Sequence, residues 1–134
     1  MSPELFWLAA VALLTALMWV PYILSVLAEM GVVNALMGRV GDDPGNAAWA
    51  IRAQHAHRNA IENLVIFAPL AIGVHVAGVG SSATAAAAMV TFWARLAHYL
   101  AYCAGIPVVR TLLFVVGVIC QLTLGLALLG AAPA

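Results

Sequence analysis

IRAQHAHRNAIENLVIFAPLAIGVHVAGV, residues 51–79, is the stretch that decides the fold. Its first part, IRAQHAHRNAIEN (51–63), is polar, and its second, LVIFAPLAIGVHVAGV (64–79), is apolar. Both halves read as one helix over 47–79, because a lipid-embedded helix tolerates the single Pro69. Upstream lies GRVGDDPGN (38–46), the only clearly polar, turn-rich segment, which reads as a loop with Asn46 as the helix N-cap.

Working outward, residues 5–28 are apolar apart from Thr15, Ser25 and Pro21. At ~1.5 Å per residue that run reaches roughly 35 Å, longer than a ~30 Å hydrocarbon core. Beyond the uncharged turn at Gly78, Gly80, Ser81 and Ser82, a third apolar run covers 83–103, and a fourth follows Gly105 and Pro107 over 108–129. The expectation is an all-α integral membrane four-helix bundle, a single transmembrane domain over residues 1–134.

Composition agrees. The 134 residues are 66% hydrophobic and 7% charged, against about 25% charged in soluble domains. There is no lysine, and the five basic residues, all arginine, form no run, which argues against nucleic acid as a partner. Cys103 and Cys120 lie in apolar stretches without metal-ligand spacing, and His55 and His57 diverge on a helix, so no metal is expected. The N-terminus carries Glu4 rather than a basic region, and its apolar run exceeds a signal peptide's, so the first span is expected to be retained.

Four crossings place Arg39, Arg52, Arg58 and Arg110 at or near one membrane face, whereas the other face has Glu4 and no arginine. The positive-inside rule makes the arginine face cytoplasmic and turns both termini away from the cytoplasm.

Polar residues repeat at helical spacing within that cytoplasmic half. His55, Arg58, Asn59 and Glu62 share one face of the second span, with Arg52 on the same side. On the third span Arg95, His98 and Tyr102 do the same, and on the fourth Arg110, Phe114, Gly117 and Gln121 form a stripe. A charged side chain in a spanning helix costs at least about 2.5 kcal/mol, so it is expected to face a protein interior or wet cavity and to have a partner. For Arg95, Glu62 is the expected partner.

These residues carry a resemblance. RAQHAHRNAIEN (52–63) resembles the second-helix signature of the MAPEG family, the membrane-associated proteins of eicosanoid and glutathione metabolism. RLAHYLAYCAGIPVVRT (95–111) is similar to the family's arginine-x-x-histidine-x-x-x-tyrosine element and the proline-x-x-arginine turn that follows it. Length and hydropathy match over essentially the whole chain, and the resemblance implies a bacterial-type member in an inner membrane.

The resemblance further implies a homotrimer that binds glutathione as cosubstrate between subunits near the cytoplasmic side, with membrane lipid and a hydrophobic small-molecule substrate as its other partners. Carried over, Arg58, Asn59, Glu62, His98, Tyr102 and Thr111 would bind glutathione. Arg110 would be the catalytic residue, stabilising the thiolate, while Arg95 and His55 would belong to a buried polar network. The chemistry suits these residue types, since glutathione presents two carboxylates, an ammonium and a thiol whose pKa falls beside positive charge.

Three departures stand out. His55 occupies a position where many members have arginine, Thr111 replaces a serine, and Phe114 replaces a tyrosine found in some eicosanoid enzymes. They leave glutathione binding intact as an expectation and argue against a specific eicosanoid synthase.

The leading functional expectation is thus a glutathione-dependent transferase or peroxidase acting on hydrophobic electrophiles or lipid hydroperoxides. A noncatalytic lipid-binding or scaffolding member is the alternative, distinguished by lipid copurification without turnover. A small multidrug exporter shares the length and hydropathy, but such proteins place an acid within the first span, and residues 5–27 contain none.

Overall fold

A computed structural model describes residues 1–37 and 47–131. The loop expected over 38–46, with Arg39 and Asn46, lies outside the described residues. Among the described residues six helices follow one another: α1 (Pro3–Leu17), α2 (Val20–Met30), α3 (Val32–Leu36), α4 (Ala48–Val76), α5 (Ser82–Ala104) and α6 (Pro107–Leu129). No strand occurs among the described residues, and the four long segments form a helical bundle.

The first crossing is broken rather than continuous. α1 ends at Leu17, Met18 and Trp19 form a turn, and α2 restarts with Pro21 in its first turn. Pro21 has no N–H for the Leu17 carbonyl, and its ring crowds that carbonyl, so an unbroken helix is disfavoured here. The Met18 carbonyl instead accepts a hydrogen bond from the Tyr99 hydroxyl of α5 at 2.9 Å. Gly31, at φ +81°, then ends α2 and starts the short α3.

α4 is continuous through Pro69 over its 29 residues. Its N-cap position is Ala47, which offers no side-chain cap. α5 starts with a capping box between Ser81 and Thr84. At its other end, Gly105 (φ +75°) lets the Ile106 N–H bond back to the Ala101 carbonyl at 3.0 Å, and Pro107 begins α6.

By length and composition, Pro3–Met30, Ala48–Val76 and Pro107–Leu129 are apolar enough to cross a membrane. α5 has the same 23-residue length as α6 but carries Arg95 and His98. It is also the helix that touches α1, α4 and α6. The helix that carries Arg95 and His98 is therefore enclosed by protein on several sides.

Small residues make that wrapping close. Ala53, Ala56 and Ala60 of α4 are buried with Met18 and Tyr99 toward the arginine-rich end. Toward the other end Val11, Phe67, Ala71, Val74, Ala88 and Leu124 form a second core. Between membrane helices, where lipid removes most of the hydrophobic drive, such close contact supplies much of the association energy. At the far end the buried Glu4 carboxylate accepts from the Thr84 hydroxyl at 2.7 Å, which sets an anion beside the N-termini of α1 and α5.

Candidate functional site

Arg95 anchors the polar half of the bundle. Its position on α5 leaves it only 2% exposed, deep among α4, α5 and α6. Nη1 donates to Asn59 Oδ1 at 3.3 Å and Nη2 to the Leu113 carbonyl at 3.3 Å, while Cζ lies 5.9 Å from the Phe114 ring centroid. The expected Arg95–Glu62 pair does not form: Glu62 is exposed, and Asn59, one turn earlier on α4, takes its place.

Gly117 makes room for this arginine. A Cβ there would collide with the guanidinium, meeting Cζ at 3.1 Å and Nε at 3.4 Å. The network continues sideways. Asn63 Nδ2 donates to the Asn59 carbonyl at 2.9 Å, and Gln121 Nε2 donates to Asn63 Oδ1 at 3.1 Å. Arg95, Asn63 and Gln121, all buried, and the half-buried Asn59 thus join α5, α4 and α6 through a run of polar groups.

Beside this network is a cavity of about 230 Å³ lined by Asn59, His98, Tyr102, Arg110, Thr111 and Phe114. Each lining residue follows from its helix. Asn59 lies on the inward side of α4, and His98 and Tyr102 are four apart on α5, their rings edge-on at 5.6 Å. Arg110 and Thr111 occupy the first turns of α6 immediately after the Gly105 turn. The Arg110 guanidinium stands 4.4 Å from the Tyr102 ring centroid, a cation–π contact that fixes the charge over the cavity.

Such a lining suits an anion. It combines a fixed cation, donors from tyrosine and asparagine, and the positive end of a 23-residue helix. Asn59 Oδ1 is already taken by Arg95 and by Asn63 Nδ2 at 3.3 Å, which leaves the Asn59 amide hydrogens for a ligand. Thr111 is less available, because its hydroxyl donates to the Pro107 carbonyl at 2.9 Å.

The cavity therefore gathers five of the residues singled out from the sequence, Asn59, His98, Tyr102, Arg110 and Thr111. Arg58 and Glu62 stand apart, exposed on the outer side of α4. His55 is exposed beside them, so its expected place in the buried network is corrected: one and two turns before Arg58 and Glu62, it shares their outward row. Phe114 is the lining residue that sequence reasoning left out of the site, although its spacing from Arg110 placed it on the same stripe. Arg52 serves the turn between α5 and α6 instead, donating from Nε to the Cys103 carbonyl at 3.0 Å.

Comparisons with curated proteins and with solved structures found no match. A family model does match, over residues 5–130, and it covers the bundle and all the cavity residues. The chain therefore belongs to the MAPEG family, membrane proteins of eicosanoid and glutathione metabolism.

Proposed function

We propose that this protein is a glutathione-dependent membrane transferase or peroxidase acting on hydrophobic electrophiles or lipid hydroperoxides. The observation that carries the reading is the cavity in which Arg110, held against Tyr102, faces His98 and Asn59. A guanidinium at a water-poor position stabilises a thiolate, and the thiolate is the nucleophile. Asn59, His98 and Tyr102 would hold the peptide around it, while Arg58 and Glu62 would reach its charged ends from a face completed by a neighbouring subunit of a homotrimer.

In the transferase reaction the sulfur forms a bond to the electrophilic carbon, and the thiol's proton ends on the leaving group or on the oxygen released from that carbon. In the peroxidase reaction the thiolate takes the terminal oxygen of the hydroperoxide and an alcohol leaves. A second glutathione thiol then converts the sulfenic product to disulfide and water. The substrate would enter from lipid along the apolar helix faces. The arginine-rich end would be cytoplasmic, as in an inner-membrane protein with both termini outside.

Titrating the purified protein with glutathione while following thiolate absorbance tests the reading. Saturable thiolate formation at millimolar glutathione is expected, and Arg110→Ala should lower it at least about tenfold, the effect of removing one preorganised charge. No saturation in the wild type would refute it. Phe114, which has no hydroxyl, and Thr111, whose proton is committed to Pro107, favour one second reading, a noncatalytic lipid-binding or scaffolding member. That reading expects copurified lipid and no conjugation of model electrophiles.

A further inference from the structure

Arg95 is a permanent charge in the bundle interior, and among the described residues no anion balances it. Its contacts are an amide oxygen, a backbone carbonyl and an aromatic face, and Nε has no hydrogen-bond partner. Among the described residues the carboxylates are elsewhere: Glu4 is bound to Thr84 at the opposite end of the bundle, and Glu29 and Glu62 are exposed. A guanidinium does not escape this position by losing its proton. A cavity open to a ligand adjoins it, with walls that include Asn59 and Phe114, two of the groups it touches.

We propose that Arg95 is a positioning residue for the anionic form of the bound thiol, acting through Asn59 from behind the cavity wall. The inference rests on the glutathione reading given above. Two effects combine. By taking Asn59 Oδ1, Arg95 turns the amide hydrogens toward the ligand, so the wall presents donors rather than acceptors. Its uncompensated charge also adds to that of Arg110 across a low-dielectric wall, where a thiolate gains more than it would in water. A structural rivet joining α4, α5 and α6 would need neither effect.

The test compares wild type with Arg95→Gln, each as full chain in lipid nanodiscs. Glutathione thiolate absorbance is recorded across pH, and S-methylglutathione, which has no ionisable thiol, is titrated calorimetrically. Arg95→Gln should raise the midpoint of thiol ionisation by about one pH unit, while changing S-methylglutathione affinity less than about threefold. Arg95→Lys, which keeps the charge, should recover most of that shift. If Arg95→Gln does not fold, Gly117→Ala displaces the guanidinium without altering the cavity lining and should move the midpoint the same way.

An unmoved midpoint in the folded variant overturns the proposal but leaves glutathione binding standing. Equal loss of both ligands with an unmoved midpoint also overturns it, in favour of the rivet. Absence of bound thiolate in the wild type removes the glutathione reading and this inference together.

Discussion

Thr111 illustrates how a residue of the right type can be pre-committed. A thiolate is stabilised by donors, and the only proton of this side chain goes to the Pro107 carbonyl at 2.9 Å, the back-bonding that hydroxyls make inside helices. Thr111→Val should therefore change glutathione affinity by less than about threefold, or under ~0.7 kcal/mol, as read by equilibrium titration. A loss beyond tenfold would mean that the hydroxyl leaves Pro107 for the ligand. The same scale shows what spacing conveys and what it omits. Positions i, i+3, i+4 and i+7 put Arg58, Asn59 and Glu62 on a common side of α4, but consecutive residues are still ~100° apart around the axis. That rotation is enough to turn Asn59 toward Arg95 and the cavity while Arg58 and Glu62 face outward. Charge complementarity suggested Glu62 as Arg95's partner, and rotation about α4 decided for Asn59.

At the scale of elements, hydropathy reveals a crossing but not its internal break. Residues 5–28 read as one span, and their length does suffice, yet Pro21 interrupts the hydrogen-bond ladder between α1 and α2. The consequence is a carbonyl, Met18, whose partner comes from another helix, the buried Tyr99 of α5. Sequence could not display this bond, because it joins residues about 80 positions apart. Removing the hydroxyl leaves that carbonyl without its donor in a water-poor setting. Tyr99→Phe should destabilise the bundle by about 1 kcal/mol, measured as a lowered denaturation midpoint in mild detergent, with the cavity and glutathione affinity unaffected. An unchanged midpoint would show that α1 and α2 re-form a continuous helix without the clamp. α5 carries the complementary lesson. It carries a buried arginine and histidine, and its packing against α1, α4 and α6 gives them protein rather than lipid as surroundings. The sequence shows these polar residues at helical spacing but not which helices enclose them.

For the whole molecule, the outward faces of the helices are chemically unequal. α5 exposes Met89, Val90, Trp93 and Leu100, a stripe suited to acyl chains. α4 exposes Val65, Ile66 and Ile72 in its apolar half but His55, Arg58 and Glu62 in its polar half. Ionised groups set against hydrocarbon cost at least about 2.5 kcal/mol each near a helix centre, so a single copy bare to lipid would leave this half of α4 poorly solvated. The proposed homotrimer, if arranged around α4, would remove the difficulty, because charged rows would then meet charged rows and water. This is also the arrangement in which Arg58 and Glu62 can serve a ligand seated between copies. The prediction concerns proximity. In a background with Cys103→Ser and Cys120→Ala, Glu62→Cys should link copies in native membranes, giving a two-chain band with a short bifunctional thiol crosslinker and a three-chain band with a trifunctional one. Trp93→Cys, on the apolar stripe of α5, should give none above the background. Crosslinking from Trp93 in place of Glu62 would put the contact on the wrong face, and Arg58 and Glu62 would then have to be explained by water reaching α4 in a lone chain.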